Sequence, residues 1–348
     1  MSHSKVELSR AGVRLTRQEM SHRSGCLCKL AACDLEMLLD DAFATAYGAD
    51  APAHPMRQPE DCAVIRSGGQ RLLATTDLGP WVGVDLYTAG RIAAFHAMSD
   101  VFACGGIPKW ALVTLIVKAG DPPSYGAAVM AGILDASREE ALEICGGHTL
   151  VGGEAMAGLA ILGVSRPGVH LSKIGAQVGN HVLLSKPLGV GIMTRAYKLA
   201  LADDTDFEKA VEVMNRSNGP AAEQAVKAGV AAATDVTGFG LLGHLAEMLA
   251  PGQGAKIGLS SVPRLEPLAR LDPGLGNTYW TKSNMDYVVS KRPLRGAAEL
   301  AQLLPLLDPQ TNGGLLVAAG DEATAQLKSW GFHPIGRVTA DEVIEIGD

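Results

Sequence analysis

The sequence predicts two α/β domains, and three observations predict them. The chain has 348 residues, more than one hydrophobic core usually fills. Strand-like and helix-like segments alternate through both halves. Between the halves, Ser165 to Ser172 holds Pro167 and Gly168 and reads as a join. Apolar residues make up 47% and charged residues 19%, the balance of a folded chain and not of a disordered one.

The elements follow in order. Leu30 to Thr45 has helical periodicity through Leu35, Leu38, Leu39 and Phe43. Ala51 to Pro59 is a loop punctuated by Pro52, Pro55 and Pro59. Two strand segments, Cys62 to Arg66 and Arg71 to Thr76, meet at Ser67-Gly68-Gly69 as a hairpin. Asp61 and Asp77 bracket the pair, and antiparallel pairing sets those ends side by side, where the carboxylates can converge. Gly90 to Cys104 reads as a helix stopped by Gly105-Gly106 with Pro108 beyond. Lys109 to Val117 is a buried strand, Ser124 to Glu143 a helix, Gly158 to Val164 a strand. Between the last two, Cys145-Gly146-Gly147-His148-Thr149 reads as a glycine turn, either plain or with N–H groups facing an anion. In the second half, strand His181 to Ser185 precedes the turn Lys186-Pro187-Leu188-Gly189-Val190-Gly191. Helices are expected over Asp206 to Asn215 and Pro220 to Ala228, then strand Ala255 to Leu259, a loop at Leu271 to Asn277 and a helix near Leu294 to Leu304. Strand Gly314 to Ala319, helix Glu322 to Trp330 and strand Ile335 to Val338 complete the chain.

Composition excludes several functions. The formal net charge is −7, and no Lys/Arg-rich run offers the footprint nucleic acid requires. The longest apolar stretch, Trp110 to Val117 broken by Thr114, is far short of the roughly 18 residues of a spanning helix, so no membrane partner is expected. Met1 to Met20 has no apolar core and does not resemble a secretory signal. Six cysteines in so long a chain do not look like a disulfide framework, and a cytoplasmic location is expected. The 41 glycines mark tight turns and close backbone approach.

Three groups of residues carry candidate chemistry. Ser21-His22-Arg23-Ser24-Gly25-Cys26-Leu27-Cys28-Lys29 packs two thiols, an imidazole and an ammonium together, and the cations would lower a thiol pKa toward the nucleophilic thiolate. Zinc ligation by Cys26 and Cys28 with His22 and Cys33 is an alternative, against which the one-residue spacing and the lack of a second pair count. An unremarkable terminal arm is another. Gly238-Phe239-Gly240-Leu241-Leu242-Gly243 follows a strand and opens a helix, as a dinucleotide fold requires. The acidic residue expected about 20 positions on is replaced by Ser260-Ser261. A Walker A sequence is absent. Asp61, Asp77, Asp100 and Asp235 form the third group, since carboxylate oxygens hold hard divalent ions against phosphates. Asp100 alone reads equally as a solvated helix end, and Asp235 has a competing role as a helix N-cap, which Thr234 and Thr237 could fill equally well.

Taken together, several motifs resemble the selenophosphate synthetase (selenide, water dikinase) family. They are Gly25-Cys26-Leu27-Cys28-Lys29, Asp61-Cys62-Ala63-Val64, Thr75-Thr76-Asp77, Gly90-Arg91-Ile92-Ala93-Ala94 ending at Ser99-Asp100, and Gly146-Gly147-His148-Thr149. Lys186 to Gly191, Thr234-Asp235 through His244, and Asp308-Pro309-Gln310-Thr311-Asn312-Gly313-Gly314 follow in the same order. The resemblance runs from about Arg14 to the C-terminus. It implies the two-domain aminoimidazole ribonucleotide synthetase-like fold, α/β in the α+β sense, with N-terminal strands forming a barrel at a homodimer interface. Residues 1–29 become an arm, 30–165 an ATP- and magnesium-binding, dimer-forming domain, and 173–348 a C-terminal α/β domain.

Residue by residue, the resemblance implies a catalytic Cys26 and Lys29, and magnesium on Asp61, Asp100 and Asp235. It implies ATP contacts from Lys29, Gln58, Pro59, Glu60, Asp77, Asp100, Gly147, His148 and Thr149. The implied reaction takes ATP, selenide and water to selenophosphate, AMP and phosphate. Phosphoryl transfer asks a protein mainly for positioning and charge neutralisation, which these residue types supply. Arg23 and Leu27 stand where the family has glycine, His96 where it has asparagine, Asn312 where it has serine, and Cys62 where it has a small apolar residue. A paralogue acting on another small nucleophile, or a non-enzymatic nucleotide- or zinc-binding thiol sensor, would share parts of this pattern.

Overall fold

The computed structural model describes residues 30, 32–48, 60–166, 168–169, 171–230, 232–296 and 299–348. Its first sheet has five strands in the order β1-β2-β5-β3-β4. These are β1 (Ala63–Ser67), β2 (Gln70–Pro80), β3 (Gly106–Lys118), β4 (Glu143–Gly152) and β5 (Met156–Ser165). Helices α1 (Ala32–Tyr47), α2 (Leu86–Ala103) and α3 (Pro123–Glu139) belong to the same half. Ser67 pairs with Gln70, so Gly68-Gly69 turns the hairpin as the sequence suggests.

One face of this sheet is the core. Leu73, Val113, Leu115, Leu159 and Ile161 are buried with Phe95, Met98 and Val101 of α2. The α2 N-terminus is fixed by Asp85, whose side chain accepts a hydrogen bond from Thr88 N at 2.7 Å. A Cβ on Gly90 would lie 1.9 Å from Val129 O, and one on Gly132 would lie 1.9 Å from Tyr87 O. These two glycines let α2 and α3 touch backbone to backbone. The opposite face is open in the single chain, exposing Leu78, Trp110, Leu112 and Leu162.

The second sheet has seven strands, ordered β7-β10-β6-β11-β8-β12-β9. They are β6 (His181–Leu184), β7 (Ala232–Asp235), β8 (Gly254–Gly258), β9 (Leu294–Arg295), β10 (Leu315–Ala319), β11 (His333–Thr339) and β12 (Ile344–Gly347). Around it lie α4 (Val190–Lys198), α5 (Asp204–Met214), α6 (Gly219–Lys227), α7 (Gly240–Met248), α8 (Tyr279–Lys291), α9 (Leu300–Leu307) and α10 (Asp321–Trp330). The halves are not independently cored. Leu183, Ala221, Ala233, Leu315 and Val317 share one buried cluster with Phe95, Met98 and Ile161, and α2 packs against β7. That shared core brings the end of α2 to the end of β7.

Several expectations are corrected. The Gly146-Gly147 stretch is strand β4 and not a turn: it runs parallel to β3, with a bulge at Cys145 that its two glycines accommodate. The helix expected to reach Glu143 ends at Glu139, because Glu143 opens β4. The helix expected near Leu294 is a short strand, β9, followed by α9 from Leu300. The strand β7 pairs antiparallel with β10, so the Gly238 to Gly243 pattern does not sit in the parallel βαβ unit of a dinucleotide fold. Among the described residues no helix is long and apolar enough to cross a membrane.

Candidate active site

Asp61 precedes β1, Asp100 lies in the last turn of α2, and Asp235 ends β7. Their carboxylate oxygens lie within 4.8 Å of one another. The three come from positions far apart in sequence, and the shared core is what assembles them. Asp61 Oδ1 accepts from Thr234 Oγ1 at 3.0 Å and pairs with Lys173 Nζ at 2.7 Å; Asp100 Oδ2 accepts from Thr75 Oγ1. One oxygen of Asp61 and one of Asp100 are thereby anchored. Asp235 Oδ2 is buried with no hydrogen-bond partner. A buried carboxylate oxygen without a donor is costly unless a cation meets it. Three oxygen donors without a thiol or imidazole suit a hard ion such as magnesium, so the residues fit the ion the sequence implies. Asp235 does not cap a helix: α7 starts at Gly240 with no side-chain cap.

The electrostatics agree with an ion-binding centre. Burial raises the Asp61 carboxyl to about 6, with Asp235 adding repulsion and Lys173 offsetting part of it. Burial, then Asp235, Asp61 and Asp77, hold the Asp100 carboxyl well above the usual carboxylate range. Beside them is a network with no counterpart in the sequence expectations. Lys173 Nζ reaches Glu247 Oε2 at 3.1 Å as well as Asp61, and the Lys173, Asp61 and Glu247 side chains are 6%, 5% and 3% exposed or less. Tyr287 OH donates to Glu247 Oε1 at 2.9 Å, and His244 Nδ1 lies 3.4 Å from Oε2. Burial alone would push Glu247 up, but Lys173 and His244 hold it at about 2. Burial would likewise lower the Lys173 ammonium, yet Asp61 and Glu247 raise it well above the ordinary lysine value.

Asp77 does not join the three aspartates. It lies within β2 and pairs with His96 Nε2 at 2.9 Å, while the Asn312 backbone N–H donates to His96 Nδ1 at 3.2 Å. With Nδ1 accepting, the ring proton is on Nε2 and His96 donates to Asp77 as a neutral imidazole. The Glu60 carboxylate is held by Ser172 Oγ and by Lys173 N, the latter at 3.1 Å. Lys186 is buried, its Nζ donating to Arg216 O at 2.7 Å and Asn312 O at 2.9 Å. Burial, with Arg216, pushes its ammonium well below the ordinary value.

Gly147, His148 and Thr149 lie elsewhere. Gly147 is in the same cross-strand row as Asp77, through Val113 and Leu159. Three strand spacings, roughly 14 Å, separate the two. Val113 and Leu159, which lie between them, are buried. Residues 147–149 are themselves exposed on the sheet edge. Cys26, Lys29, Gln58 and Pro59 lie outside the described residues, as do Arg23 and Leu27.

Family models for the AIR synthase related protein match both halves, the N-terminal domain over residues 59–165 and the C-terminal domain over residues 177–348. The selenide, water dikinase of Carboxydothermus hydrogenoformans is 36% identical over 274 residues, covering 77% of this chain and 78% of its own. That of Pelobacter propionicus is 37% identical over 328 residues, covering 90% of each. The chain belongs to the selenide, water dikinase family. Its fold is also that of AaThiL, solved in complex with AMPPCP and TMP, with a TM-score of 0.63 at 19% identity over 92% of this chain and 96% of that one.

Within the selenide, water dikinase pattern, two of the departures noted in the sequence meet. His96 and Asn312 touch each other through the Asn312 N–H, so two altered positions form one contact behind Asp77. Cys62 is buried next to Asp61 and against Cys104, whose thiol hydrogen bond, with burial, pushes the Cys62 thiol up and makes it a poor nucleophile. Lys173 and Glu247 were not among the residues singled out by motif. Glu247 did carry a signal: it is the one acid in the stretch Leu241 to Met248, whose only other polar side chain is His244, and a buried charge there requires a partner.

Proposed function

We propose that this chain converts ATP, selenide and water to selenophosphate, AMP and phosphate at the Asp61, Asp100 and Asp235 cluster. The observation that carries the reading is the convergence of three carboxylates within 4.8 Å, one with an unpartnered oxygen, in a member of the selenide, water dikinase family. Asp61, Asp100 and Asp235 would hold magnesium, which when bound neutralises triphosphate charge. Asp77, oriented by His96, would receive the nucleotide on the adjoining strand. Cys26 and Lys29 are assigned by the family pattern to the reacting end, Lys29 as a point charge for the transferring phosphoryl group and Cys26 as a soft partner for selenium.

The working unit in this reading is a homodimer. The open sheet face presents Leu78, Trp110, Leu112 and Leu162, an apolar surface of the kind that marks an interface. A second copy seated there would cover it, close the strands into a barrel and bring its own Gly147, His148 and Thr149 toward this chain's Asp77. A cytoplasmic location accords with oxygen-sensitive selenide as substrate.

Phosphorus NMR of the full chain with magnesium-ATP and selenide tests the proposal, run beside Lys29→Ala and Asp235→Asn. The expected result is selenophosphate and AMP from the parent and neither from the variants. ATP consumed only with a different acceptor would overturn the substrate assignment, and unchanged turnover by Asp235→Asn would overturn the site.

A further inference from the structure

Four carboxylates, Asp61, Asp100, Asp235 and Glu247, lie at or beside the centre, and Lys173 is the ammonium that pairs with two of them. Its position is determined from three directions. Its backbone N–H is tied to Glu60, its Nζ lies 2.7 Å from Asp61 Oδ1, and Glu247 draws it the other way at 3.1 Å. Glu247 is itself fixed by Tyr287 OH at 2.9 Å. The ammonium therefore divides its charge between Asp61, a member of the aspartate cluster, and Glu247, which is not.

We propose that Lys173 is a positioning residue whose charge, shared between Asp61 and Glu247, sets how tightly the three aspartates hold a divalent ion. The proposal rests on the reading that these aspartates bind magnesium. Two opposed consequences follow from charge alone. Removing the ammonium leaves the cluster more negative, so a cation binds more tightly. Removing the Glu247 charge gives the ammonium wholly to Asp61, so a cation binds more weakly. A residue that merely props the loop would not separate the two signs, because disturbing either partner would loosen the same site.

The experiment is manganese titration of the full chain without ATP, followed by electron paramagnetic resonance of the free ion, for the parent, Lys173→Met, Lys173→Arg and Glu247→Gln. Lys173→Met is expected to bind manganese roughly tenfold or more tightly, the effect of removing a unit charge a few ångströms from a cation in a partly buried site. Glu247→Gln is expected to bind more weakly by a similar factor, and Lys173→Arg to stay within about threefold of the parent. Glu247→Gln keeps the shape and the Tyr287 contact, so it decides the matter by itself if Lys173→Met does not fold: unchanged or tighter binding overturns the proposal. Shifts of the same sign in Lys173→Met and Glu247→Gln also overturn it while leaving the metal site standing. A parent that binds no manganese overturns both.

Discussion

Replacing Asp100 with asparagine should abolish activity and yet stabilise the metal-free protein. Asp100 is half-buried, and its carboxylate faces those of Asp61 and Asp235 within 4.8 Å. At that separation and an effective dielectric near 20, two ionised carboxylates repel by about 3.5 kcal/mol. Partial protonation relieves some of this, so about 2 to 3 kcal/mol is the expected net gain at pH 8 on removing one charge. Asparagine keeps the acceptor for Thr75 Oγ1 and nearly the same volume, so little packing is lost. For a chain of this size, that corresponds to a rise in melting temperature of roughly 3 to 4 °C. The assay is thermal unfolding in a chelator and again in excess magnesium. The parent should gain several degrees from magnesium, while Asp100→Asn should start higher and gain little. An Asp100→Asn protein that melts below the parent in chelator would refute the reasoning, since the aspartates would then be stabilising each other through structure and not awaiting a cation.

Divalent-ion affinity of the parent should weaken as pH falls through about 6, where protons compete for Asp61, and calorimetric titration at pH 8 and pH 5.5 checks this. The sign for stability is the reverse. A carboxyl raised in the folded state binds its proton more tightly there than in the unfolded chain, so the metal-free protein should lose stability as pH rises from about 4 through 6. Mixed dimers test the shared site: Asp100→Asn and a His148→Ala/Thr149→Ala variant, each inactive alone, should regain about a quarter of parental activity when randomly reassociated, because one site per mixed dimer is intact. Recovery of nothing would place both sets of residues in the same subunit's site. His96→Ala should raise the KM for ATP roughly tenfold, as expected for a lost hydrogen bond to a charged group, with melting largely preserved. An unchanged KM would detach Asp77 from nucleotide binding.

What was legible in the sequence divides along a physical line. Elements with strong local periodicity or turn chemistry, such as the Gly68-Gly69 hairpin and β10, were readable because the local code and the tertiary structure agree. The helix α8 was not. Its sequence, Tyr279 to Lys291, mixes polar and apolar residues, its capping box is built from Thr278 and Thr281, and its packing against α1 and α7 is a tertiary fact. Strand β4 was misread for the opposite reason. Gly146-Gly147 is turn chemistry by any local rule, but a Cβ on Gly147 would lie 2.0 Å from Val113 O. The glycine serves close strand approach next to a bulge, and nothing local distinguishes that use from a turn.

The same line runs through the site. Asp61, Asp100 and Asp235 could be nominated from loop edges and a helix end, but Asp100 and Asp235 each had an ordinary alternative, and only the meeting of the three across the shared core removes it. Asp77 was expected to converge with Asp61 because β1 and β2 are antiparallel; the pairing is as expected, yet the carboxylate turns to His96. Strand register fixes where a backbone goes and not which neighbour a side chain selects. Lys173 shows the limit most directly. It lies in a stretch without motif, just past the join, and acquires meaning only when Asp61 from one half and Glu247 from the other close on it from either side. A buried ammonium between two carboxylates cannot be left half-paired without a penalty of several kcal/mol. The metal centre and the contact between the halves are therefore one electrostatic object, and changing the charge at either should be felt at both.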